Sequence, residues 1–401
     1  MSWEKKRIGD CCEITSSKRI FLSEYVEKGI PFFRSKEIIE LSKGENPSNL
    51  IFITKEKFEE IKHKFGVPNY GDLLLTSIGT IGIPYAVKKD DKFYFKDGNL
   101  TWFRNFSDKL LPKFLYYYLL SSEAQLILNN IAIGSSQKAL TITILKEIQI
   151  PCPPIKIQQN IVTLLSAYDD LIENNNKQIR LLKEAAQRLY KEWFIDLRFP
   201  DHASTKIVDG VPEGWEKSRV CNVISIIRRG ISPKYSENGT SFVINQKCIR
   251  STIMDISNAR RQEKKFIKEM NLRDEDIVIC STGAGTLGRV GKVFGEYKNT
   301  TFDSHITLIR ASQDIGKEYL FHTIKSKQKY LQDSGKGSTN QLELKKSSIE
   351  DIAIFIPKKD IYDKFETIAY NIHKKITSLS LTINYLKKQK MILLSNIFTK
   401  I

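Results

Sequence analysis

Cysteine and histidine are scarce. The 401 residues hold six cysteines (Cys11, Cys12, Cys152, Cys221, Cys248 and Cys280) and five histidines. No cysteines form a C-x-x-C pair and no histidine-rich segment accompanies them, so neither the common zinc spacings nor a disulfide framework is indicated. Reduced thiols in a cytoplasm are the expected state. No apolar run reaches the ~20 residues that a membrane-spanning helix needs. The segment MSWEKKRIGD lacks the apolar stretch of a secretory signal, so a cytoplasmic chain with no membrane contact is expected. Acidic residues are also short. Asp and Glu number 46 against 63 Lys and Arg, a formal net charge of +17. That excess favours a polyanionic partner, most often nucleic acid; a lysine-rich proteome gives the same balance without one.

Catalytic motifs are missing as well. Gly283-Ala284-Gly285-Thr286-Leu287-Gly288 follows Ile277-Val278-Ile279 and matches G-x-G-x-x-G. The dinucleotide-binding version of that motif needs its third glycine to open a helix, whose amides hold a pyrophosphate. Here the third glycine leads into RVGKVFGEY, with Gly291 and Gly295, which predicts a second strand and a turn. Asp303 lies where an acid is wanted, but within TTFDSHITLIR, and does not end a parallel strand. No cofactor is expected in this chain. Pro200-Asp201 and the distant Glu263-Lys264-Lys265 do not make a nuclease set, and there is no Walker A sequence or metal-carboxylate cluster.

What the sequence does have is a repeat, at a period of about 205 residues. GDLLLTSIGTIGIPYAV (71–87) resembles DEDIVICSTGAGTLGRVGKV (274–293), with two extra residues in the second copy. The first copy has no G-x-G-x-x-G; both keep strand, polar glycine loop, strand. WEKKRIGDCCEI (3–14) pairs with WEKSRVCNVISI (215–226), and PFFRSKEI (31–38) loosely with FVINQKCI (242–249). KDGNLTWFRN (96–105) pairs with FDSHITLIRA (302–311), and GSSQKALTITILKEIQIP (134–151) with GSTNQLELKKSSIEDIAIFIP (337–357). Each copy predicts a mixed α/β (α+β) globule of single-domain size.

A long helical pattern follows each copy. Ile161, Leu165, Tyr168, Ile172, Ile179, Leu182, Ala186, Leu189 and Trp193 alternate in fours and threes, a heptad seam interrupted at Asn175. The second seam holds Phe365, Ala369, Ile372, Ile376, Leu379, Ile383, Leu386, Leu393 and Ile397, broken by Lys390. Two equivalent seams in one chain are most economically packed on each other. A helix of about 36 residues spans roughly 54 Å. The expected domains are 1–157, a helix at 158–196, a linker at 197–214 without regular structure, a second domain at 215–360, and a helix at 361–401.

This order resembles the specificity (S) subunit of Type I restriction–modification systems. The resemblance rests on W-E-x-x-x-[IV], G-D-[IL]-L-x-x-x-G-T-x-G, G-S-x-Q-x-x-L, I-x-I-P-x-P-P and a helix ending L-Y-K-E-W-F, all within 1–194, with a looser set in 215–398. The second half departs from the pattern where Lys358-Lys359 replace two prolines. The resemblance implies two target-recognition domains held apart by two antiparallel coiled-coil helices, with a pseudo-two-fold repeat. It implies a non-enzymatic reader of a split, asymmetric site on double-stranded DNA. It implies methyltransferase (M) subunits, two of them, which carry S-adenosylmethionine, and motor-nuclease (R) subunits, which use ATP and Mg2+. The chain has no Asn-Pro-Pro-[Tyr/Phe] tetrapeptide for an extruded adenine. Alternatives are a stand-alone methyltransferase or nuclease with degenerate motifs, a reader for a fused methyltransferase–nuclease, and a coiled-coil scaffold.

Base-reading side chains are expected on loops where the copies differ. Three paired places qualify. Arg34, Ser35 and Lys36 align with Asn245, Gln246 and Lys247, read either as contacts or as a polar turn between strands. The glycine loops offer Ser77 and Thr80, against Ser281, Thr282, Thr286 and Arg289. Ser135, Ser136, Gln137 and Lys138 align with Ser338, Thr339, Asn340 and Gln341. His305 aligns with Asn99 and is a weaker candidate. Trp102 and the Tyr116-Tyr117-Tyr118 run are expected in the core rather than stacked on bases.

Overall fold

The structure is a computed structural model. It describes residues 3–44, 47, 49–134, 137–250, 253–283, 285–335 and 342–398. The chain divides into two units, Met1–Asn174 with Thr382–Ile401, and Asn175–Leu381. No helix among the described residues is long and apolar enough to cross a membrane.

In the first unit one antiparallel sheet runs in the order Glu13–Thr15, Leu100–Arg104, Leu73–Thr76, Pro84–Ala86. The run Leu73-Leu74-Leu75 is buried on both faces because it separates two apolar clusters. A second sheet runs Tyr25–Val26, Ile51–Ile53, Ile30–Phe33, Tyr94–Phe95, the last pair parallel. Lys5–Arg7 pairs with Gln149–Pro151 and closes the unit. Helix Pro112–Leu120 opens on a proline at its first turn, where the missing N–H costs nothing. It buries Tyr117 and Tyr118, and Trp102 is buried too, as the pattern predicts.

The second unit repeats this wiring. Its four-stranded sheet runs Ile224–Arg229, Ile306–Ala311, Ile277–Cys280, Val290–Lys292. Its three-stranded sheet runs Arg260–Gln262, Ser241–Ile244, Thr300–Phe302, again with the last pair parallel. Glu216–Arg219 pairs with Ala353–Ile356. The third glycine of the G-x-G-x-x-G match leads into strand Val290–Lys292 and not into a helix.

The long helices are Ile155–Phe194 and Lys359–Phe398, 40 residues each. No predicted seam residue of either is exposed. In the first unit Ile161 and Leu165 pack with Leu393, Leu394, Ile397 and Phe398. In the second, Leu189, Tyr190, Trp193 and Phe194 pack with Ile361, Phe365 and Ala369. Within each unit the start of one helix meets the end of the other, so the pair is antiparallel. Lys390 does not interrupt the seam. It is buried, ion-paired to Asp169, and its Nζ lies 5.0 Å from the Tyr117 ring, whose hydroxyl donates to Asp169 at 2.7 Å.

The segment 197–214 has more structure than its composition suggests. Ile207–Val208 and Val211–Pro212 form a hairpin. Its turn residues Asp209 and Gly210 have φ of 50° and 73°, the positive pair that a two-residue Asp-Gly turn takes up. Phe199 and Trp215, at its borders, are buried, with rings 5.0 Å apart.

Candidate nucleic-acid interface

The two glycine loops are fastened by the same bonds. In the first unit the Ser77 N–H donates to the Asn99 carbonyl at 2.9 Å, and the Ser77 carbonyl accepts from the Leu140 N–H at 2.9 Å. The Ser77 and Thr101 hydroxyls lie 2.6 Å apart, and the Gly82 N–H closes the loop on the Thr76 carbonyl at 2.8 Å. In the second unit Ser281 donates to His305 at 2.7 Å and accepts from Leu344 at 2.8 Å. Its hydroxyl lies 2.6 Å from that of Thr307, and Gly288 donates to Cys280 at 2.8 Å. Gly82 and Gly288, at φ of 80° and 73°, turn the chain at matching points.

The other predicted loops converge on this frame. The Ser35 hydroxyl donates to the same Asn99 carbonyl at 3.2 Å, and the Gly79 N–H donates to the Lys138 carbonyl at 3.1 Å. In the second unit the Gln246 amide donates to the Thr282 carbonyl, and Thr282 lies 2.6 Å from His305 Nδ1. Ser35, Lys36 and Thr80 line one open groove with Ile39, Glu40 and Lys43. Lys36, Thr80, Gln137, Lys138, Lys247 and His305 are exposed around the two frames.

Several expected base readers are otherwise engaged. Ser77 and Ser281 are buried with their hydroxyls spent on Thr101 and Thr307, so they hold the loop and present nothing to a groove. Arg34 sits not in a turn between strands but before helix Ser35–Ser42. Its Nε and Nη2 donate to the buried Glu37 at 3.2 and 2.6 Å. Asn245 occupies the matching place and accepts from the Lys247 N–H at 2.8 Å. Thr286 donates to the Thr282 carbonyl at 2.9 Å, and Arg289 to the Gly285 carbonyl at 2.7 Å. Ser135, Ser136, Ser338, Thr339, Asn340 and Gln341 lie outside the described residues.

Sequence reasoning missed Arg229. It is paired with Glu343, and its Nη2 donates to the Ser281 carbonyl at 3.3 Å. Burial pulls its guanidinium pKa down. Its neighbours in ISIIRRG align with no arginine pair in the first copy, so no signal marked it.

One side-chain cluster among the described residues has metal-ligand chemistry: Glu318, His322 and His373. Glu318 Oε2 lies 2.6 Å from His373 Nδ1, and Oε1 lies 2.6 Å from Lys292 Nζ. Burial works against the carboxylate, but the His373 bond and the Lys292 charge win and hold its pKa at about 2. Both oxygens are thus taken and the charge is already matched. Burial, then His373, pushes the His322 pKa down to about 3. Burial pushes Glu366 up to about 7, although it accepts from the N–H groups of Glu318 and Tyr319. This network ties helix Lys317–Ser326 to the second long helix.

Known proteins agree with this architecture. Residues 1–184 and 212–385 match the family described as Type I restriction modification DNA specificity domain. The Type I restriction enzyme MjaIX specificity subunit of Methanocaldococcus jannaschii is 28% identical over 410 residues, covering 96% of this chain and 90% of that protein. The HindI specificity subunit of Haemophilus influenzae is 25% identical over 68% of this chain and 73% of its own length. The crystal structure of a Type I S subunit from M. genitalium matches 99% of this chain and 96% of its own at a TM-score of 0.60 and 17% identity, which shows a shared fold. The chain belongs to the Type I restriction–modification DNA specificity family.

Proposed function

We propose that this chain is the sequence-reading subunit of a Type I restriction–modification complex. Each unit reads one half of a split site on double-stranded DNA. The observation that carries this is the duplicated loop frame: matching internal bonds, with Ser35 and Asn99 of one copy replaced by Gln246 and His305 in the other. A frame used twice with unlike contacts suits an asymmetric site, whereas identical contacts would suit a palindrome. The excess of 63 basic over 46 acidic residues supports backbone contacts.

In this reading the chain binds and does not catalyse. Two methyltransferase subunits dock on it through the long helices and bring S-adenosylmethionine. Motor-nuclease subunits, with ATP and Mg2+, join through them, all in the cytoplasm. The test is genome-wide adenine methylation in the source strain with and without the gene. Loss of one split motif, with unread positions inside it, supports the reading. Methyl transfer to DNA by the purified chain without partners would overturn it.

A further inference from the structure

The two units differ at a place that the sequence repeat does not align. Strand Ile30–Phe33 pairs with Ile51–Ile53, setting Phe32 opposite Ile51 and Pro31 opposite Phe52. In the second unit Ser241–Ile244 pairs with Arg260–Gln262, setting Val243 opposite Arg260 and Phe242 opposite Arg261. Arg260 therefore takes the place of Ile51, and Arg261 that of Phe52. The flanking tyrosine is common to both units. Tyr25 lies opposite Ile53, and Tyr235 bridges to Gln262, the counterpart of Ile53. In the first unit Tyr25 packs on Phe32, with ring centroids 5.3 Å apart. In the second, the Arg260 guanidinium lies over the Tyr235 ring at 3.6 Å.

Arg260 and Tyr235 are both exposed, and they line an open groove with Ser236, Glu237 and Arg261. Arg261 is committed to structure, lying over Phe242 and donating to the Gly239 carbonyl at 3.1 Å. Among the described residues no ion pair occupies the Arg260 fork, and its hydrogen-bonding neighbour is the hydroxyl of the same Tyr235. The pair stands beside the loop frame. Strand Ser241–Ile244 leads directly into Asn245, and Tyr235 feels the charge of Asp303, whose carboxylate accepts from the His305 N–H at 3.0 Å.

We propose that Arg260, held flat by Tyr235, is a specificity-determining residue of the second unit and takes the acceptor edge of a guanine. A planar guanidinium matches the paired O6 and N7 acceptors in the major groove. Stacking fixes its plane before binding, so little rotamer freedom is lost on contact. Arginine at a strand margin could serve only to discourage edge pairing, but a lone solvated charge does that without an aromatic platform.

The inference rests on the DNA-reading function proposed above. The experiment uses the chain assembled with its methyltransferase subunits, on duplexes carrying the split site found by methylation mapping. Each base pair of the half-site read by the second unit is varied in turn. Affinities are compared for the unaltered complex, Arg260→Lys, Arg260→Ala, Tyr235→Phe and Tyr235→Ala. The expected result is that both Arg260 variants lose about tenfold or more of the preference for guanine at one position and keep discrimination elsewhere. Tyr235→Phe retains that preference, and Tyr235→Ala weakens it at the same position. Two results overturn the inference: unchanged discrimination in Arg260→Lys and Arg260→Ala, or a loss uniform across all sequences with a salt slope reduced by about one, the mark of a phosphate contact. If the unaltered complex shows no sequence preference, the proposed function falls. If it does and both Arg260→Lys and Arg260→Ala match it, this inference alone falls.

Discussion

Ser281 and His322 show how individual side chains hold the second unit in shape. Ser281→Ala deletes a buried hydroxyl 2.6 Å from that of Thr307 and leaves Thr307 without it. A cost of about 1–3 kcal/mol follows from stranding a buried polar partner, measured as a fall in denaturation midpoint. His322 titrates with a defined sign. Its folded pKa is about 3, well below the ordinary 6.5. Its contribution to stability is therefore complete above about 6.5 and is lost as pH falls from there towards 3. Glu366 acts oppositely: its folded pKa of about 7 lies above 4.5, so stability from it declines as pH rises between those values. His322→Phe isolates the first effect, because phenylalanine fits between Tyr190 and His373, whose rings flank His322 at 5.8 and 5.4 Å. Thermal melting from pH 7 to pH 5 is expected to drop less in the variant than in the unaltered chain. Parallel curves would show that His322 carries none of the acid sensitivity.

At the scale of elements, the paired helices carry a buried charge, Lys390, in an apolar seam. Lys390→Ala removes the ion pair of Asp169 and leaves it accepting from the Tyr117 hydroxyl. A loss of roughly 2 kcal/mol is expected for breaking a charge-assisted bond. Asp169→Asn with Lys390→Met should cost less than the two single changes summed, because the pair is removed together. Additive losses in a double-mutant cycle would mean that the two side chains are not coupled. The seam itself was legible, because heptad spacing depends only on residue type and period. The role of Lys390 was not, since the carboxylate that matches it lies 221 positions away in the chain. The Asp209-Gly210 turn had a signal, an Asp-Gly pair between apolar residues, that composition alone obscured. Arg34 and Ser77 went the other way. Residue type suggested contacts with bases, whereas Glu37 and Thr101 were unforeseeable partners. The order of strands and loops was readable because it was written twice, and pairing chemistry was not because it depends on three-dimensional neighbours.

At the scale of the whole molecule, duplication separates what must be kept from what can vary. The bonds from Ser77 and Ser281 to their flanking strands recur. The residues that diverge, Ser35 against Gln246, Asn99 against His305 and Ile51 against Arg260, sit around or beside them. If each unit carries its own reading surface, the halves can be exchanged independently. Replacing residues 1–150 with the corresponding part of another specificity chain should change one half of the methylated motif and leave the other half intact. The retained half would be the one that Arg260→Lys alters, which ties the exchange to a particular side chain. Methylation mapping of the chimera in cells reads both halves at once. A change in both halves would mean that the first unit constrains base choice by the second. An unchanged motif would place the reading surface of the first unit outside 1–150, in the long helices.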